Sequence, residues 1–447
     1  MSEIATDIGG SARGQDVEVS SAVVDSRDAA PGALFVAIRG ERTDGHRYVE
    51  DAFAAGCAAA LVGEAAGDHP HVLVEDTQAA FLSLAAAERR AMDASVLAIT
   101  GANGKTSTKD LASAVLGTRL RVHASPASYN NEVGVPLTIL GAPAATEALV
   151  CELGARHLGD HTRLCSIVDP DAVVVTNAGV AHIQEFGSWE NVVAATAEPV
   201  EALSAGAIAI LNADDRTVSA LASRTRAEVL TFGLASSADV RADEVELDAD
   251  GRARFTLSSS GDRECVELAV PGEHMISNAL AAAACGLALG LSVAECATGL
   301  KNAGVSRWRM EPSTTASGVR VLNDAYNANP DSMAAGLKTA RWIARDARLL
   351  AVLGNMAELG PISVEEHEAV GRLVTRLGIE RLVTVGKDAE AIARSAVREG
   401  MEPDAVEMVA SADAAAQAVR SWARTGDVVF LKGSRVAGLE RVAEGLA

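Results

Sequence analysis

The chain has 447 residues, 49% hydrophobic and only 3% aromatic, with 39 basic against 60 acidic side chains for a net charge of −21. That length exceeds one hydrophobic core and predicts roughly two to four globular domains filled by Ala, Val and Leu. The charge argues against a nucleic-acid or anionic-membrane binder, but leaves anionic small molecules open wherever local cations and helix N-termini oppose the overall field.

Residues 1 to 92 alternate short strands and helices. The strands are expected around Val23-Val24, Ala33 to Ile38, Ala59 to Val62 and His71 to Val74, with a helix near Tyr48 to Gly56. A helical stretch from Ala79 to Asp93 leads into the apolar run Val96 to Ile99. From 93 to 312 the rhythm continues with Ala148 to Glu152, Ala172 to Thr176 and Ala207 to Leu211, near-continuous apolar strands of the kind buried on both faces of a parallel sheet. Asp239 to Leu268 is more polar and alternating, and reads as an antiparallel edge. From 313 to 447 strands are expected at Val319 to Leu322, Leu349 to Leu353, Arg381 to Val385 and Val428 to Leu431. The fold class is α/β, in three domains: 1–92, 93–312 and 313–447. The six cysteines form no C-x-x-C pair and read as small core residues of a reducing cytoplasm. The first residues carry Glu3 and Asp7 without an apolar stretch, so no signal peptide is expected, and no apolar run is long enough for a membrane span.

Thr100 to Thr108 reads T-G-A-N-G-K-T-S-T, between an apolar strand and a helix-like Asp110 to Leu116. Backbone N–H groups of such a loop and the positive end of the helix can surround phosphate oxygens. Lys105 would reach the β/γ-phosphates, and a hydroxyl of Thr106 or Ser107 would hold Mg²⁺. Ile99 stands where the longer phosphate-loop pattern needs a glycine, so only the short form G-x-x-G-K-[ST] fits, and an ordinary glycine-rich turn is the competing reading.

Other candidates are polar residues at strand ends, where open α/β sheets place ligands. Glu152 is a natural Mg²⁺ ligand or a solvated acid. Asn177 to His182 offers an amide and an imidazole. Asn278 opens an Ala-rich helix, as an exposed amide or a nucleotide contact, and Arg309 lies near the last domain junction. Asn323 to Pro330 crowds Asp324, Tyr326, Asn327 and Asn329 into a span that turn chemistry alone does not explain.

In this order the motifs resemble the Mur ligases nearly end to end. Asp25-Ser26-Arg27, Pro31 to Ala37 and Asp44-Gly45-His46 look like that family's uridine-nucleotide domain, and Thr100 to Ser107 like its ATP loop. Tyr129 to Pro136 is similar to its substrate-facing loop, while Glu152 to Ala155 and Ala181-His182 look like its magnesium segments. Asp324 to Met333 is the most specific match; Leu353 to Gly360, His367 and Lys432 to Arg435 complete the pattern.

The resemblance implies an ATP-dependent amide ligase that works through an acyl phosphate and joins D-alanyl-D-alanine to UDP-N-acetylmuramoyl-tripeptide. It implies a cytoplasmic monomer using ATP and Mg²⁺. The ATP site would comprise Gly101, Ala102, Asn103, Gly104, Lys105, Thr106, Ser107, Asn278, Arg309 and Asp324. Thr106, Glu152 and His182 would serve metal, and Lys105, His182 and Arg309 catalysis. Ser26, Arg27, Asp44, His46, Asn130, Asn131, Tyr326, Asn327, Asn329 and Lys432 would meet substrates. One position departs from the pattern: where the family carries A-K-x-E, with a lysine carbamate for the second Mg²⁺, this chain reads Ala195-Thr196-Ala197-Glu198. Thr196 supplies no anion. Met275 and Asn323 are milder departures. A paralogue joining another acid and amine, and a nucleotide-binding protein without ligase activity, are the alternatives; the folate-type glutamyl ligases share the loop but not Asp324 to Met333.

Overall fold

A computed structural model describes residues 1–40 and 43–446. Three sheets succeed one another along the chain. The first contains β1 (Ser11–Arg13), β2 (Ser21–Val23), β3 (Ala33–Val36), β4 (Ala59–Val62) and β5 (His71–Leu73), in the order β1-β5-β4-β3-β2. β2 to β5 pair in parallel and β1 closes the edge antiparallel. β3 and β4 are buried at every residue, as their unbroken apolar sequences require.

The second sheet has nine strands: β6 (Ser95–Thr100), β7 (Val122–Ala124), β8 (Ala148–Glu152), β9 (Ala172–Val175), β10 (Ile208–Asn212), β11 (Glu228–Gly233), β12 (Val240–Leu247), β13 (Arg252–Ser259) and β14 (Asp262–Pro271). Their order is β14-β13-β12-β11-β10-β9-β6-β8-β7. β12 to β14 form the antiparallel edge that the alternation of residues 239–268 predicts. The third sheet runs β15-β16-β20-β17-β18-β19, from β15 (Glu311–Thr314), β16 (Arg320–Asp324), β17 (Leu349–Gly354), β18 (Arg381–Val385), β19 (Val406–Val409) and β20 (Val428–Lys432). Only β15 is antiparallel to its neighbour.

The described chain falls into two compact units, one of residues 1–98, 120–155 and 159–172, the other of 99–119, 156–158 and 173–447. In the second unit the Ala-rich helix His274–Ala288 is buried along Ala279 to Cys285. It packs with helices Lys105–Leu116 and Val293–Lys301 through small residues. A Cβ on Gly299 would lie 2.4 Å from Val115 Cα, and one on Gly286 would lie 2.7 Å from Cys296 Sγ. Among the described residues no helix is long and apolar enough to cross a membrane.

Two local expectations need correction. The helix after β6 begins at Lys105, so Lys105, Thr106 and Ser107 belong to its first turn rather than to an open loop. Tertiary packing overrides the poor helix propensity of Thr and Ser here. The run Tyr129 to Pro136 is likewise only partly loop, since helix Gly134–Leu140 starts within it.

Candidate active site

In the second unit the phosphate-loop sequence makes a tightly pinned turn. Gly101 and Gly104 have φ of 132° and 82°, values that disfavour any side chain. A Cβ would fall 2.1 Å from Thr176 Oγ1 at Gly101 and 2.3 Å from Asn278 Oδ1 at Gly104. The N–H groups of Ala102 and Asn103 donate to Asn177, at 3.0 Å to its carbonyl and 2.8 Å to Oδ1. Thr176 Oγ1 and Asn177 Nδ2 return hydrogen bonds to the Asn103 carbonyl at 2.6 and 3.0 Å. Two of the amides expected to wrap phosphate are therefore spent on fixing the loop. The first turn of helix Lys105–Leu116 is where the helix dipole favours negative charge. Lys105 Nζ curls back onto the Gly101 carbonyl at 2.6 Å. Thr106 and Ser107 are buried.

Residues from the C-terminal third reach this loop. Arg309 Nη2 donates to Thr106 Oγ1 at 2.8 Å, and its guanidinium stacks 4.3 Å from the Tyr326 ring centre. Asn329 Nδ2 donates to Asn103 Oδ1 at 2.6 Å, while Asn329 Oδ1 caps helix Pro330–Ala344. Asp324 pairs with Lys432 at 2.5 Å and accepts from the Met310 N–H at 3.1 Å. Lys432 Nζ also donates to the Asn327 carbonyl at 3.0 Å. The polar crowding of residues 323–330 thus builds a loop against the phosphate turn and neutralises a buried lysine. Asn278 is buried, not exposed, with Thr108 Oγ1 3.4 Å from its Oδ1.

His182 lies before the short helix Ile183–Phe186, with φ of 60°. Its Nδ1 faces the Glu358 carboxylate, whose other oxygen accepts from Arg156 Nη2 at 3.1 Å. Burial, and then the charge of Lys105, push the His182 pKa below its ordinary value against the pull of Glu358. Both effects favour the neutral imidazole over the imidazolium. Glu358 is a site residue that the sequence alone does not single out. The run Leu353 to Gly360 stood out in the sequence, but nothing in it marked which side chain would meet His182. Thr196, inside helix Trp189–Glu201, donates its hydroxyl to the Val192 carbonyl at 2.7 Å, so it is consumed by its own helix.

The first unit holds the remaining candidates. Glu152 ends β8, buried, and its Oε1 accepts from Asn130 Nδ2 at 2.8 Å. Asn131 Oδ1 accepts from the Gly134 N–H at 2.9 Å and so serves the start of helix Gly134–Leu140. Ser26 and Arg27 form a short 3-10 turn capped by Asp25, and the side-chain hydrogen bond from Arg27 holds the Asp25 carboxyl down at about 2. Asp44 is also held at about 2, first by the backbone N–H of His46 and then by its side chain. His46 uses both ring nitrogens: Nδ1 lies 2.6 Å from Asp44 Oδ1, and Nε2 accepts from the Gly63 N–H at 2.8 Å.

Among the described residues no cluster of three or more His, Cys, Asp or Glu side chains could hold a metal by itself. A hydroxyl such as that of Thr106 and a carboxylate such as that of Glu152 are each donors that Mg²⁺ takes beside phosphate oxygens and water. The neutral loop glycines, the helix N-terminus and Lys105 suit a polyphosphate in the same sense.

Three family models match the chain: "Mur ligase family, catalytic domain" over residues 18–94, "Mur ligase middle domain" over 99–286 and "Mur ligase, glutamate ligase domain" over 308–435. The UDP-N-acetylmuramoyl-tripeptide--D-alanyl-D-alanine ligase of Mycobacterium tuberculosis is 42% identical across 94% of this chain and 91% of its own length. The enzyme of that name from Bacillus subtilis is 34% identical across 96% and 93%. The crystal structure of MurF from Acinetobacter baumannii superposes with a TM-score of 0.89 at 29% identity, over 100% of this chain and 98% of that one. MurF ligase from Thermotoga maritima in complex with ADP gives 0.83 at 26% identity, over 97% and 98%.

Proposed function

The chain belongs to the Mur ligase family, and on that footing we propose that it joins D-alanyl-D-alanine to UDP-N-acetylmuramoyl-tripeptide, consuming ATP and releasing ADP, in peptidoglycan precursor synthesis. The observation that carries this reading is the extent of the match: 42% identity to one such ligase over 94% of this chain, with family models over residues 18–94, 99–286 and 308–435. Neither a different acid and amine nor nucleotide binding without ligation has an observation in its favour. The enzyme is proposed to act as a cytoplasmic monomer with domain limits near residues 92 and 312, which take the uridine substrate, ATP and the incoming amine in that order.

A carboxylate is a poor electrophile, so the acceptor's carboxyl group is first phosphorylated by ATP and the amine then attacks the acyl phosphate. Such a transfer asks the protein for positioning and charge neutralisation more than for covalent help. Lys105 supplies one cation on releasing the Gly101 carbonyl. Arg309 supplies another, oriented by the Tyr326 ring. Thr106 and Glu152 are proposed to hold Mg²⁺, with His182 toward a second ion; when bound, Mg²⁺ would offset phosphate charge. Asp324 and Asn278 are assigned to the ribose and adenine sides. Ser26, Arg27, Asp44 and His46 are assigned to the uridine substrate, and Asn130, Asn131, Tyr326, Asn327, Asn329 and Lys432 to the peptide and amine. Water exclusion protects the acyl phosphate from hydrolysis.

The test is ADP release by the purified chain with ATP, Mg²⁺ and UDP-N-acetylmuramoyl-tripeptide, with and without D-alanyl-D-alanine. Release that needs both substrates, with an amide product of the expected mass, is the expected result. Nucleotide binding without dependence on either substrate would turn the search to other acids and amines.

A further inference from the structure

Glu358 is fixed in place from several directions. Its φ of 61° is a left-handed conformation that is strained for a non-glycine residue and persists only where the surroundings impose it. The Met356 N–H donates to His367 Nε2 at 2.9 Å, and His367 Nδ1 is turned to the Ser363 carbonyl at 2.6 Å. The Ala357 N–H donates to Ser434 Oγ at 2.8 Å. The Glu358 carbonyl accepts from the Gln184 N–H at 3.2 Å. His367 and the run Lys432 to Arg435 stood out in the sequence without a task in phosphate chemistry; part of what they do is build this loop.

The loop aims one carboxylate. Arg156 holds Oε1, and Oε2 faces His182 Nδ1, from a histidine that is itself in the left-handed region. A carboxylate oxygen at that position has only lone pairs to offer, so Nδ1 must carry the proton. In the neutral imidazole the other ring nitrogen, Nε2, then keeps its lone pair. Among the described residues it has no hydrogen-bond partner.

We infer that Glu358 is a positioning residue for His182: it fixes the imidazole as the Nδ1–H tautomer and so presents Nε2 as an electron-pair donor to the phosphate site, with Arg156 locking the carboxylate. A metal-ligating histidine is commonly oriented by a carboxylate on its second nitrogen in this way. The inference rests on the ligase reading above and deepens it. His182 falls in the stretch matched by the middle-domain model and Glu358 in that matched by the glutamate-ligase model, so two parts of the chain share one imidazole. Glu358 is also an anion in contact with His182, in a chain whose Thr196 provides none.

The test is the nitrogen-15 imidazole spectrum of the full chain without ligands, with the His182 signals assigned by their loss in His182→Gln. Nδ1–H with an unprotonated Nε2 is expected in the wild type. Glu358→Ala is expected to release that tautomer and Glu358→Asp to restore part of it. In a titration of binding of a non-hydrolysable ATP analogue, the half-saturating Mg²⁺ concentration should rise about 10-fold in Glu358→Ala, with metal-free binding of the analogue unaltered. An Nε2–H tautomer in the wild type overturns the inference even if no variant folds; so does an unchanged tautomer in folded Glu358→Ala. Amide formation by the wild type separates the two claims. Product with Nε2–H sinks only the positioning role, and no product with Nδ1–H sinks only the substrate assignment.

Discussion

Two carboxylate–imidazole pairs in this chain are built in opposite ways. Asp44 and His46 stand two residues apart in a single turn, and both ring nitrogens of His46 are consumed, one by Asp44 and one by the Gly63 N–H. Glu358 and His182 are 176 residues apart, each in a left-handed conformation, and the contact takes only one ring nitrogen. The local pair forms with its turn at little entropic cost, whereas the distant pair requires both segments to be folded and opposed. The difference teaches how to tell a fastener from an instrument: a histidine whose two nitrogens both serve the fold has no ring nitrogen left for a ligand, so His46 would meet the uridine substrate through its ring carbons or backbone.

The widest separation between the two regions should come from Lys105→Ala. ADP release is expected to fall by roughly 10²–10³-fold, the order seen when a charge-stabilising group is removed, while binding of the uridine substrate, measured calorimetrically, stays as in the wild type. Retained turnover would remove the phosphate-loop assignment. Next in size, His46→Ala leaves the Gly63 N–H without its acceptor, and thermal or urea unfolding should register a loss of about 1–3 kcal/mol. An equal loss in Glu358→Ala would erase the distinction between the pairs.

Acid separates them more gently. Burial depresses the pKa values of His182 and His367 in the fold. The unfolded chain therefore binds more protons below the ordinary value of 6.5, and the stability these residues contribute above it is lost as pH falls. Asp25 and Asp44, held at about 2, contribute stability that is present above 3.8 and lost only as pH falls toward 2. The unfolding midpoint should drop by roughly 2 °C or more between pH 7.5 and 5.5, and His367→Gln should lessen that drop. The smallest expected effect is none: added bicarbonate should leave the rate unaltered, because Thr196 forms no carbamate. A bicarbonate-dependent rate would mean that a lysine elsewhere has taken over.

Much of the architecture was legible because strands buried on both faces must be apolar, and β3, β4, β9 and β17 carry no polar side chain, while β6, β8 and β20 depart only at their ends, at Ser95, Thr100, Glu152 and Lys432. Gly101 and Gly104 were legible because close backbone approach leaves glycine no substitute. The first turn of helix Lys105–Leu116 was hidden by residues that favour caps over helices. Glu358 was hidden for another reason. A left-handed φ at a non-glycine residue leaves no mark in composition or spacing, and its partner is far away in sequence. The same holds for Asn103 with Asn329, 226 residues apart, and for Arg309 with Thr106, 203 apart. Such contacts belong to the tertiary fold, and only resemblance to a family could have hinted at them.

Helix His274–Ala288 carries a consequence for inherited variation. Its buried alanines leave no slack, and Asn278 at its start fills the space that a side chain at Gly104 would need. An added methylene in so close a packing costs about 1–3 kcal/mol and is relieved by moving neighbours, of which the phosphate turn is one. Selection on nucleotide affinity would therefore act on a helix that is almost wholly apolar. A screen for altered ATP affinity should return substitutions there as readily as in the turn proposed to hold phosphate.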